Sequence, residues 1–521
     1  MNRQLTKTAL LIVVINLLSR LLGFGREAVI ANQFGATSFT DAYLLAYTLP
    51  YFLQAILGMA LVSAIVPVVT KYLLANETEE AWRIASITLN WTTLFMALFA
   101  LLGILGAKYL VFLTAPGFNA STRELAISLT KIMFPSVIFM AGGMLLTGIL
   151  NAKKRFAVAA FAPGFSSLII ILTVILLGQY GIHYLAWGTL LSMLGGLLIQ
   201  VPVLKQIGFR YYFDWRLHHP EVKGLFYNLL PIFLGTAVNQ IYLMINRFFA
   251  SGLGEGSISA LNYAGKLMNL PMGIFALAIS TVIFPLLSEQ AVQKNKAEIS
   301  LTLLSGLQMV LLITLPAAAG LMALRTPIVQ LLFERGAFDQ LATQMTAGAL
   351  FYFCWGMFAA AMLMVITRAY YALGDVWTPL FWGMLSILVN IGISIAFLPV
   401  LAHRGLALAN SLAAIFNALC LYLWLKKHLK TLYGAKLLKS LFTFSVGSLF
   451  TGLAAWQVNY YLGLTFLRGS SLKFLGLKLG LSIGAGVLVY GLWLGLVYRE
   501  AIFGLWQNVK KGSRFMNKDV E

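Results

Sequence analysis

The chain has 521 residues, of which 60% are hydrophobic and only 10% are charged, and its mean hydropathy is +0.85. Soluble domains carry about 25% charged residues, so this composition excludes an ordinary soluble protein. The net charge of +20 does not indicate nucleic-acid binding, because the Lys and Arg residues lie mostly between apolar blocks. That distribution is typical of membrane proteins that follow the positive-inside rule.

The apolar blocks are long and continuous, without the alternation of a membrane β-barrel, so they predict spanning helices. At about 20 residues per span, we predict an all-α polytopic membrane protein with about 14 transmembrane helices. The predicted helices are 5–32, 39–73, 82–113, 122–150, 157–177, 182–204, 223–250, 257–287, 297–323, 342–371, 378–400, 405–428, 437–462 and 473–500.

The basic residues predict that both termini are cytoplasmic. An even number of helices puts both ends on one side, and that side should be richer in Lys and Arg. The richer side holds Arg3, Lys7, Lys153, Lys154, Arg155, Lys205, Arg210, Arg216, Lys223, Lys294, Lys296, Lys426, Lys427, Lys430, Lys436, Lys439, Lys510, Lys511, Arg514 and Lys518. The opposite side holds Arg123, Arg325, Arg335, Arg404, Arg468 and Lys473.

An internal repeat is visible when residues 26–50 are set above residues 247–271, at a constant offset of 221. The matched pairs are Arg26 with Arg247, Gly35 with Gly256, Ser38 with Ser259, and Pro50 with Pro271, while Asp41 falls on Asn262. A second similarity pairs "ILNAKKRFAVAAFAP" (149–163) with "VITRAYYALGDVWTP" (365–379). Units with an even number of helices repeat about an axis along the membrane normal.

The repeat predicts two pseudo-symmetric six-helix lobes followed by two C-terminal helices. The predicted divisions are an N-lobe at 1–221, a C-lobe at 222–431, helices 13 and 14 at 432–505 and a basic cytoplasmic tail at 506–521.

The first predicted helix contains Arg20, Arg26 and Glu27, and Asp41 follows in the second. Each such charge costs roughly 2.5–3.5 kcal/mol at mid-bilayer. On an ideal helix Arg20 shares a face with Gly23 and Glu27, while Arg26 lies about 120° away from Arg20.

Two interpretations of these charges stay open. Arg20 could pair with Glu27, or Arg26 with Asp41, and so pin two helices together. Alternatively, the arginines line a water-filled cavity, and Lys266 in the matching segment of the second repeat adds a further cation to one central cleft. Such a cleft suits an anion, and a phosphate in particular, because Arg offers a bidentate fork.

The sequence contains no phosphate-binding loop, no nucleophile–base pair and no metal-ligand spacing. We therefore predict a transporter rather than an enzyme, with no cofactor. A membrane potential or a sodium or proton gradient would bias transport, since an inside-negative potential favours outward movement of an anion.

Five segments together resemble one known family: "SRLLGFGREAVIANQFGATSFTDAY" (19–43), "TAPGF" (114–118), "ILNAKKRFAVAAFAP" (149–163), "LFERGAFD" (332–339) and "RAYYALGD" (368–375). They resemble the MurJ (MviN) family of lipid II flippases, within the multidrug/oligosaccharidyl-lipid/polysaccharide exporter superfamily. The resemblance extends over about residues 5–430.

The resemblance implies flipping of lipid II, the lipid-linked peptidoglycan precursor, from the inner to the outer leaflet of the bacterial cytoplasmic (inner) membrane. We predict that the flipping proceeds by alternating access. It places the polyprenyl tail in a groove bordered by helices 13 and 14. The implied partners are the undecaprenyl-linked glycan lipid, membrane lipids and the cell-wall synthesis machinery that determines cell shape. We expect a functional monomer.

The resemblance also implies roles for individual residues. Arg20, Arg26, Asp41, Ser259 and Lys266 fall on cavity residues of the family. We predict that Arg20, Arg26, Lys266 and Ser259 bind the diphosphate. The residues predicted to orient the cavity are Glu27, Asp41, Gly23 and Asn262. Departures from the family's charged pattern occur at Gln54, at Gly58 and at Asn269. Some members bind sodium through carboxylates, whereas the matching positions here predict only a weak site of neutral ligands, at Asn246, Asn390, Ser394 and Asn410.

Two alternative functions stay open. The departures are compatible with a flippase for another polyprenyl-diphosphate-linked oligosaccharide. A drug or cation antiporter is the less favoured alternative, because a cationic cavity repels a cationic substrate.

Overall fold

A computed structural model describes residues 3–216, 221, 240–429, 433–465 and 472–497 of the chain. These residues form helices joined by short turns, and no β-strand occurs among them. The prediction of an all-α membrane protein is therefore confirmed.

The helices, numbered in chain order, differ widely in length. They are α1 Arg3–Phe34, α2 Ser38–Leu74, α3 Thr78–Leu105, α4 Ala107–Thr114, α5 Ala120–Met133, α6 Ser136–Ala152, α7 Phe156–Leu177, α8 Ile182–Leu198, α9 Val201–Gln206, α10 240–251, α11 Ser257–Pro271, α12 Leu277–Val292, α13 Lys296–Ala323, α14 Arg325–Phe333, α15 Gln340–Ala372, α16 Trp377–Leu401, α17 His403–His428, α18 Gly434–Thr465 and α19 Leu472–Val497. A π-helical turn at Met272–Ala276 continues α11 into α12.

Within the described ranges, ten helices are long and apolar enough to cross a membrane, or eleven if α5 and α6 count as one span bent by 41°. The bend lies at Pro135, which lacks a backbone N–H and whose ring crowds the carbonyl of the preceding helical turn. Most of the seventh predicted helix, 223–250, lies outside the described residues. The count of fourteen therefore stays a prediction.

Three predicted helices are divided in the structure. The segment predicted at 182–204 is interrupted at 199–200, where α8 ends and α9 begins. The segment predicted at 82–113 is interrupted at Gly106, where α3 ends and α4 begins. The segment predicted at 122–150 is interrupted between Met133 and Ser136.

Packing divides the chain into two compact units. Unit 1 comprises Met1–Tyr263 with Phe333–Thr343, and unit 2 comprises Ala264–Leu332 with Gln344–Glu521. These units differ from the predicted lobes, whose boundary at 221/222 adjoins undescribed residues, so the lobe assignment stays a prediction.

In unit 1, helices approach closely where small residues face each other. A Cβ on Gly164 would overlap Ser19 of α1, and Ser19 donates a hydrogen bond to the Ala160 carbonyl of α7 at 3.1 Å. A Cβ on Gly148 of α6 would overlap Ile65 of α2. Helices in membranes associate largely through such close backbone approach, because lipid provides no hydrophobic driving force.

In unit 2, α12, α13, α15, α17 and α18 share one apolar core. Its fully buried members include Leu307, Val365 and Tyr370, and the Tyr370 hydroxyl donates to the Leu421 carbonyl at 2.8 Å. The helix α18 packs on α13 and α19. The Tyr490 hydroxyl of α19 donates to the Leu312 carbonyl of α13 at 2.9 Å.

The backbone repeats features at the offset seen in the sequence. Left-handed residues recur in pairs that are 218 to 221 residues apart: Gly35 and Gly256, Asn76 and Lys294, Lys154 and Gly374, and Gly181 and Ala402. The side chains of Asn119 and Asp339, 220 residues apart, each accept a backbone N–H three residues later at 2.8 Å. The two halves of the chain therefore share turn geometry as well as sequence.

Candidate functional site

The helix α1 runs unbroken through the segment that carries its charges. Gly23 and Gly25 lie against α7, where an added Cβ would meet Ser167 and Ile171 at ordinary contact distance, 3.9 Å. Both glycines therefore lie at the packing face of α1 with α7. Gly23, predicted to orient the cavity, lies on this packing face.

Arg26 and Glu27 form an ion pair within α1. The Arg26 Nη2 to Glu27 Oε1 distance is 2.6 Å, and the side chains are 17% and 8% exposed. Asn262 of α11 approaches the other carboxylate oxygen of Glu27 with its amide nitrogen at 3.5 Å. Arg26 is thus neither fully exposed nor sealed in a dry contact.

Asp41 of α2 caps the first turn of α11. Its carboxylate accepts backbone N–H groups from Gly256 at 2.8 Å and from Ser259 at 2.7 Å, and it also accepts the Ser259 hydroxyl. The N-terminal N–H groups of a helix have no intrahelical partner and carry partial positive charge, so a carboxylate stabilises them.

Arg247 of α10 is 8% exposed and lies beside this cap. Its Nη1 donates to the Ile258 carbonyl at 3.2 Å, and its charge interacts with Asp41 and Glu27. Sequence reasoning did not select Arg247 as a site residue. The signal was nevertheless present, because the repeat superposes Arg247 on Arg26.

The turn between α1 and α2 packs against two other turns of unit 1, one at Gly256 and one at Ala337. Gly35 has φ +65°, and a Cβ there would overlap the Ala337 carbonyl; Gly256 has φ +78°, and a Cβ there would overlap the Ala36 carbonyl. The Ala337 N–H donates to the Asn32 carbonyl at 2.8 Å. Only glycine permits both these dihedrals and this close backbone approach.

Aromatic rings fill the space beneath these turns. Phe333 lies 5.6 Å from Phe24 and 5.0 Å from Tyr263, and Phe338 lies 5.5 Å from Tyr263, measured between ring centroids. Phe333, Phe338 and Tyr263 are fully buried. The charged cluster of α1, α2 and α11 is therefore held on one side by a rigid aromatic core.

Other predicted site residues lie outside this cluster. Arg20 is exposed on α1, and Lys266 is exposed on α11, within unit 2. Asn269 is also exposed, and its side chain donates to the Gly265 carbonyl at 2.9 Å. Gln54 is partly buried and Gly58 is buried in α2.

The candidate sodium ligands divide between the two units. Asn390 is fully buried and donates from its amide nitrogen to the Asn410 side-chain oxygen at 3.0 Å, and Ser394 is also fully buried, one helical turn further along α16. Asn246 belongs to unit 1, where it donates to the Tyr242 carbonyl at 3.0 Å. Among the described residues, no group of three or more His, Cys, Asp or Glu side chains could hold a metal ion.

Comparison with known proteins identifies the family. The family described as "Lipid II flippase MurJ" matches residues 30–477. The lipid II flippase MurJ of Burkholderia cenocepacia is 31% identical over 426 residues, which are 79% of this chain and 82% of the relative. The probable lipid II flippase MurJ of Vibrio cholerae is 31% identical over 477 residues, covering 88% and 90% of the two chains.

Solved structures agree with this assignment. An inward closed conformation of lipid II flippase MurJ superposes with a TM-score of 0.79 at 28% identity, covering 95% of this chain and 100% of that one. An inward-facing multidrug transporter of the MATE family shares the fold with a TM-score of 0.66 at 17% identity, covering 81% and 98%. The chain belongs to the lipid II flippase MurJ family.

Proposed function

We propose that this protein moves lipid II from the inner to the outer leaflet of the bacterial cytoplasmic membrane by alternating access. The observation that carries the proposal is the family match over residues 30–477. The protein is a transporter, and the curated relatives at 31% identity carry the name of lipid II flippases.

The substrate's diphosphate is the group that this chain would hold by charge. Arg26 is the proposed principal ligand, because its guanidinium can present two parallel N–H donors to phosphate oxygens. In this proposal the diphosphate replaces Glu27 as the partner of Arg26, and the Glu27 carboxylate keeps its contact with the Asn262 amide. Arg20 and Lys266 are proposed as further cations for the head group.

Ser259 can serve the substrate only after it leaves Asp41, because its hydroxyl and backbone N–H are both engaged by that carboxylate. We therefore assign the contact between Asp41 and α11 to a closed form of this part of unit 1. When the contact opens, the freed N–H groups at the start of α11 become donors suited to an anion. Substrate and Asp41 thus compete for the same donors.

The remaining features of transport follow from chemistry. The polyprenyl tail stays in lipid, along a groove bordered by α18 and α19, which are the predicted helices 13 and 14. Both helices expose large apolar side chains, among them Phe442, Leu449, Leu481 and Leu488. The membrane potential contributes about 2.3 kcal/mol per charge per 100 mV toward outward movement of the anionic head group. Both termini are proposed to be cytoplasmic, and the protein acts as a monomer beside the cell-wall synthesis machinery.

Genetic replacement tests the function. We expect this chain, expressed in a bacterium whose own lipid II flippase is depleted, to restore growth and cell shape. Failure to restore growth, with the protein present in the membrane at normal abundance, would contradict lipid II as the substrate. That outcome would favour another polyprenyl-diphosphate-linked oligosaccharide as the substrate.

A further inference from the structure

Three tyrosines stack in a row along one face of α2. The ring centroids of Tyr43 and Tyr47 are 6.3 Å apart with planes inclined by 28°, and those of Tyr47 and Tyr51 are 5.5 Å apart with planes inclined by 21°. Residues four apart lie on the same helical face, so the row follows the helix axis. We call Tyr43, Tyr47 and Tyr51 the tyrosine ladder.

Exposure increases from one end of the ladder to the other. Tyr43 is 4% exposed, and its hydroxyl hydrogen-bonds Thr189 of α8 at 2.9 Å, whereas Tyr51 is 38% exposed. The inner ring is therefore fixed by its hydroxyl, and the middle ring supports the outer one. Tyr51 presents an open aromatic surface on a rigid support.

The ladder adjoins the charged cluster. Arg26 of α1 lies within electrostatic range of the side chains of Tyr43 and Tyr47. An ion pair inside a membrane protein faces the bundle interior or a wet cavity rather than lipid. Tyr47 therefore lies near the Arg26–Glu27 ion pair, and the ladder leads from that pair to the exposed ring of Tyr51.

We propose that the tyrosine ladder is a sugar-binding subsite, in which a pyranose ring of the substrate stacks on Tyr51. This inference rests on the proposed function, because it assumes a substrate that carries sugars beyond its diphosphate. One face of a pyranose consists of C–H groups with slight positive charge, and the face of an aromatic ring is negative. Tyrosine suits this role because its ring is apolar and its rim is polar.

A polar side chain further along α2 can bind the hydroxyl groups of the sugar. Gln54 lies on the same side of the helix, seven residues and about 10 Å beyond Tyr47. Its amide offers both donors and an acceptor to sugar hydroxyl groups. A head group whose diphosphate is held at Arg26 would extend its sugars along the ladder towards Gln54.

Equilibrium binding to two ligands tests the subsite. The ligands are lipid II and undecaprenyl diphosphate, which shares the tail and the diphosphate but has no sugars. We expect Tyr51→Ala to weaken lipid II binding roughly tenfold, which corresponds to about 1.4 kcal/mol, and to change undecaprenyl diphosphate binding less than about twofold. Tyr51→Phe should stay within about twofold of wild type for both ligands.

Two further variants serve as controls. Tyr51→Leu keeps the bulk of the side chain without its flat ring, and should reproduce the selective loss. Tyr109→Ala removes an equally large ring that is 77% exposed on α4, and should change neither affinity.

The outcomes separate this inference from the proposed function. Unchanged lipid II affinity in Tyr51→Ala and Tyr51→Leu, or equal losses for both ligands, would overturn the sugar subsite alone. A wild-type protein that binds neither ligand would instead contradict the proposed function.

Discussion

Asp41 stabilises a helix that is more than 200 residues away in the chain. Its carboxylate takes two backbone N–H groups at the start of α11, those of Gly256 and Ser259. A helix N-terminus buried without such an acceptor would leave these donors unsatisfied, which costs about 1–3 kcal/mol per group. Asp41 is 4% exposed, so water cannot easily replace it.

We predict that Asp41→Ala lowers the stability of the protein by at least about 3 kcal/mol, because two backbone N–H groups lose a charged acceptor and each such hydrogen bond contributes about 1.5–3 kcal/mol. Asp41→Asn should have a smaller effect, since the amide oxygen can still accept one N–H. The measurement is the midpoint of thermal unfolding in detergent. Glu255→Gln, an exposed acid on the same turn, is the matched control. Equal midpoints for Asp41→Ala and wild type would contradict the capping role.

Sequence reasoning found the buried charges but not all their partners. Four of its residues meet in the structure as two pairs, Asp41 with Ser259 and Glu27 with Asn262. The structure pairs Arg26 with its neighbour Glu27, an arrangement that was not among those considered. A sequence shows that a charge in a membrane helix needs compensation, whereas the choice of partner depends on tertiary packing.

At the scale of elements, the apolar blocks predicted the long helices, because length and continuous hydrophobicity are sufficient signals for a span. The breaks within blocks were missed. Gly106 and the Phe134–Pro135 step lie inside mostly apolar segments, and glycine or proline alone is tolerated in many membrane helices. Only the local backbone shows where each helix stops.

An extended segment, residues 209–216, lies along α3, and we call it the aromatic strap. Its five aromatic side chains are Phe209, Tyr211, Tyr212, Phe213 and Trp215. Asn90 of α3 donates to the Asp214 carbonyl at 2.9 Å and accepts the Tyr211 hydroxyl at 2.6 Å. The Tyr212 N–H donates to the Ser86 hydroxyl at 3.1 Å. Two polar residues, one helical turn apart on α3, thus hold a segment that has no secondary structure of its own.

An ion pair closes the end of the strap. Arg216 Nη2 lies 2.6 Å from Asp214 Oδ2, and this hydrogen bond lowers the pKa of Asp214 to about 2. A depressed pKa contributes stability above the unfolded value of about 4, and the contribution is lost as the pH falls through about 2. The pair is therefore intact at neutral pH.

We predict that Asn90→Ala loosens the strap, because it removes two hydrogen bonds at once. Trypsin cleavage after Arg210 and Arg216 at neutral pH should become several-fold faster, since an opening free energy lower by about 1 kcal/mol raises the open population about fivefold. Thr93→Ala, on the exposed side of α3, should leave the cleavage rate unchanged. Wild-type cleavage of Asn90→Ala would show that other contacts hold the strap.

At the scale of the whole molecule, the repeat is the feature that sequence and backbone share. Left-handed residues recur within three residues of the offset of 221 that superposes Arg26 on Arg247. The two superposed arginines have different surroundings, since Arg247 donates to a backbone carbonyl whereas Arg26 pairs with a carboxylate. The halves have thus kept their turns while their charges took different roles.

We predict that transport does not depend on sodium. Sodium sites of high affinity use carboxylates, whereas the candidate ligands here are neutral, and the Asn410 oxygen already accepts the Asn390 amide. Replacing sodium by potassium in proteoliposomes, at constant membrane potential, should change the flipping rate less than about twofold. A steep sodium dependence that is lost in Asn390→Ala would contradict this prediction.

We propose above that the Arg26 guanidinium binds the diphosphate of the lipid while the head group crosses the membrane. The most direct measurement is the rate of lipid II flipping in proteoliposomes that contain the double variant Arg26→Ala, Glu27→Gln, which leaves no unpaired buried charge. We predict a thermal midpoint near that of wild type and flipping slowed at least about tenfold. Flipping at the wild-type rate in this folded variant would contradict the account.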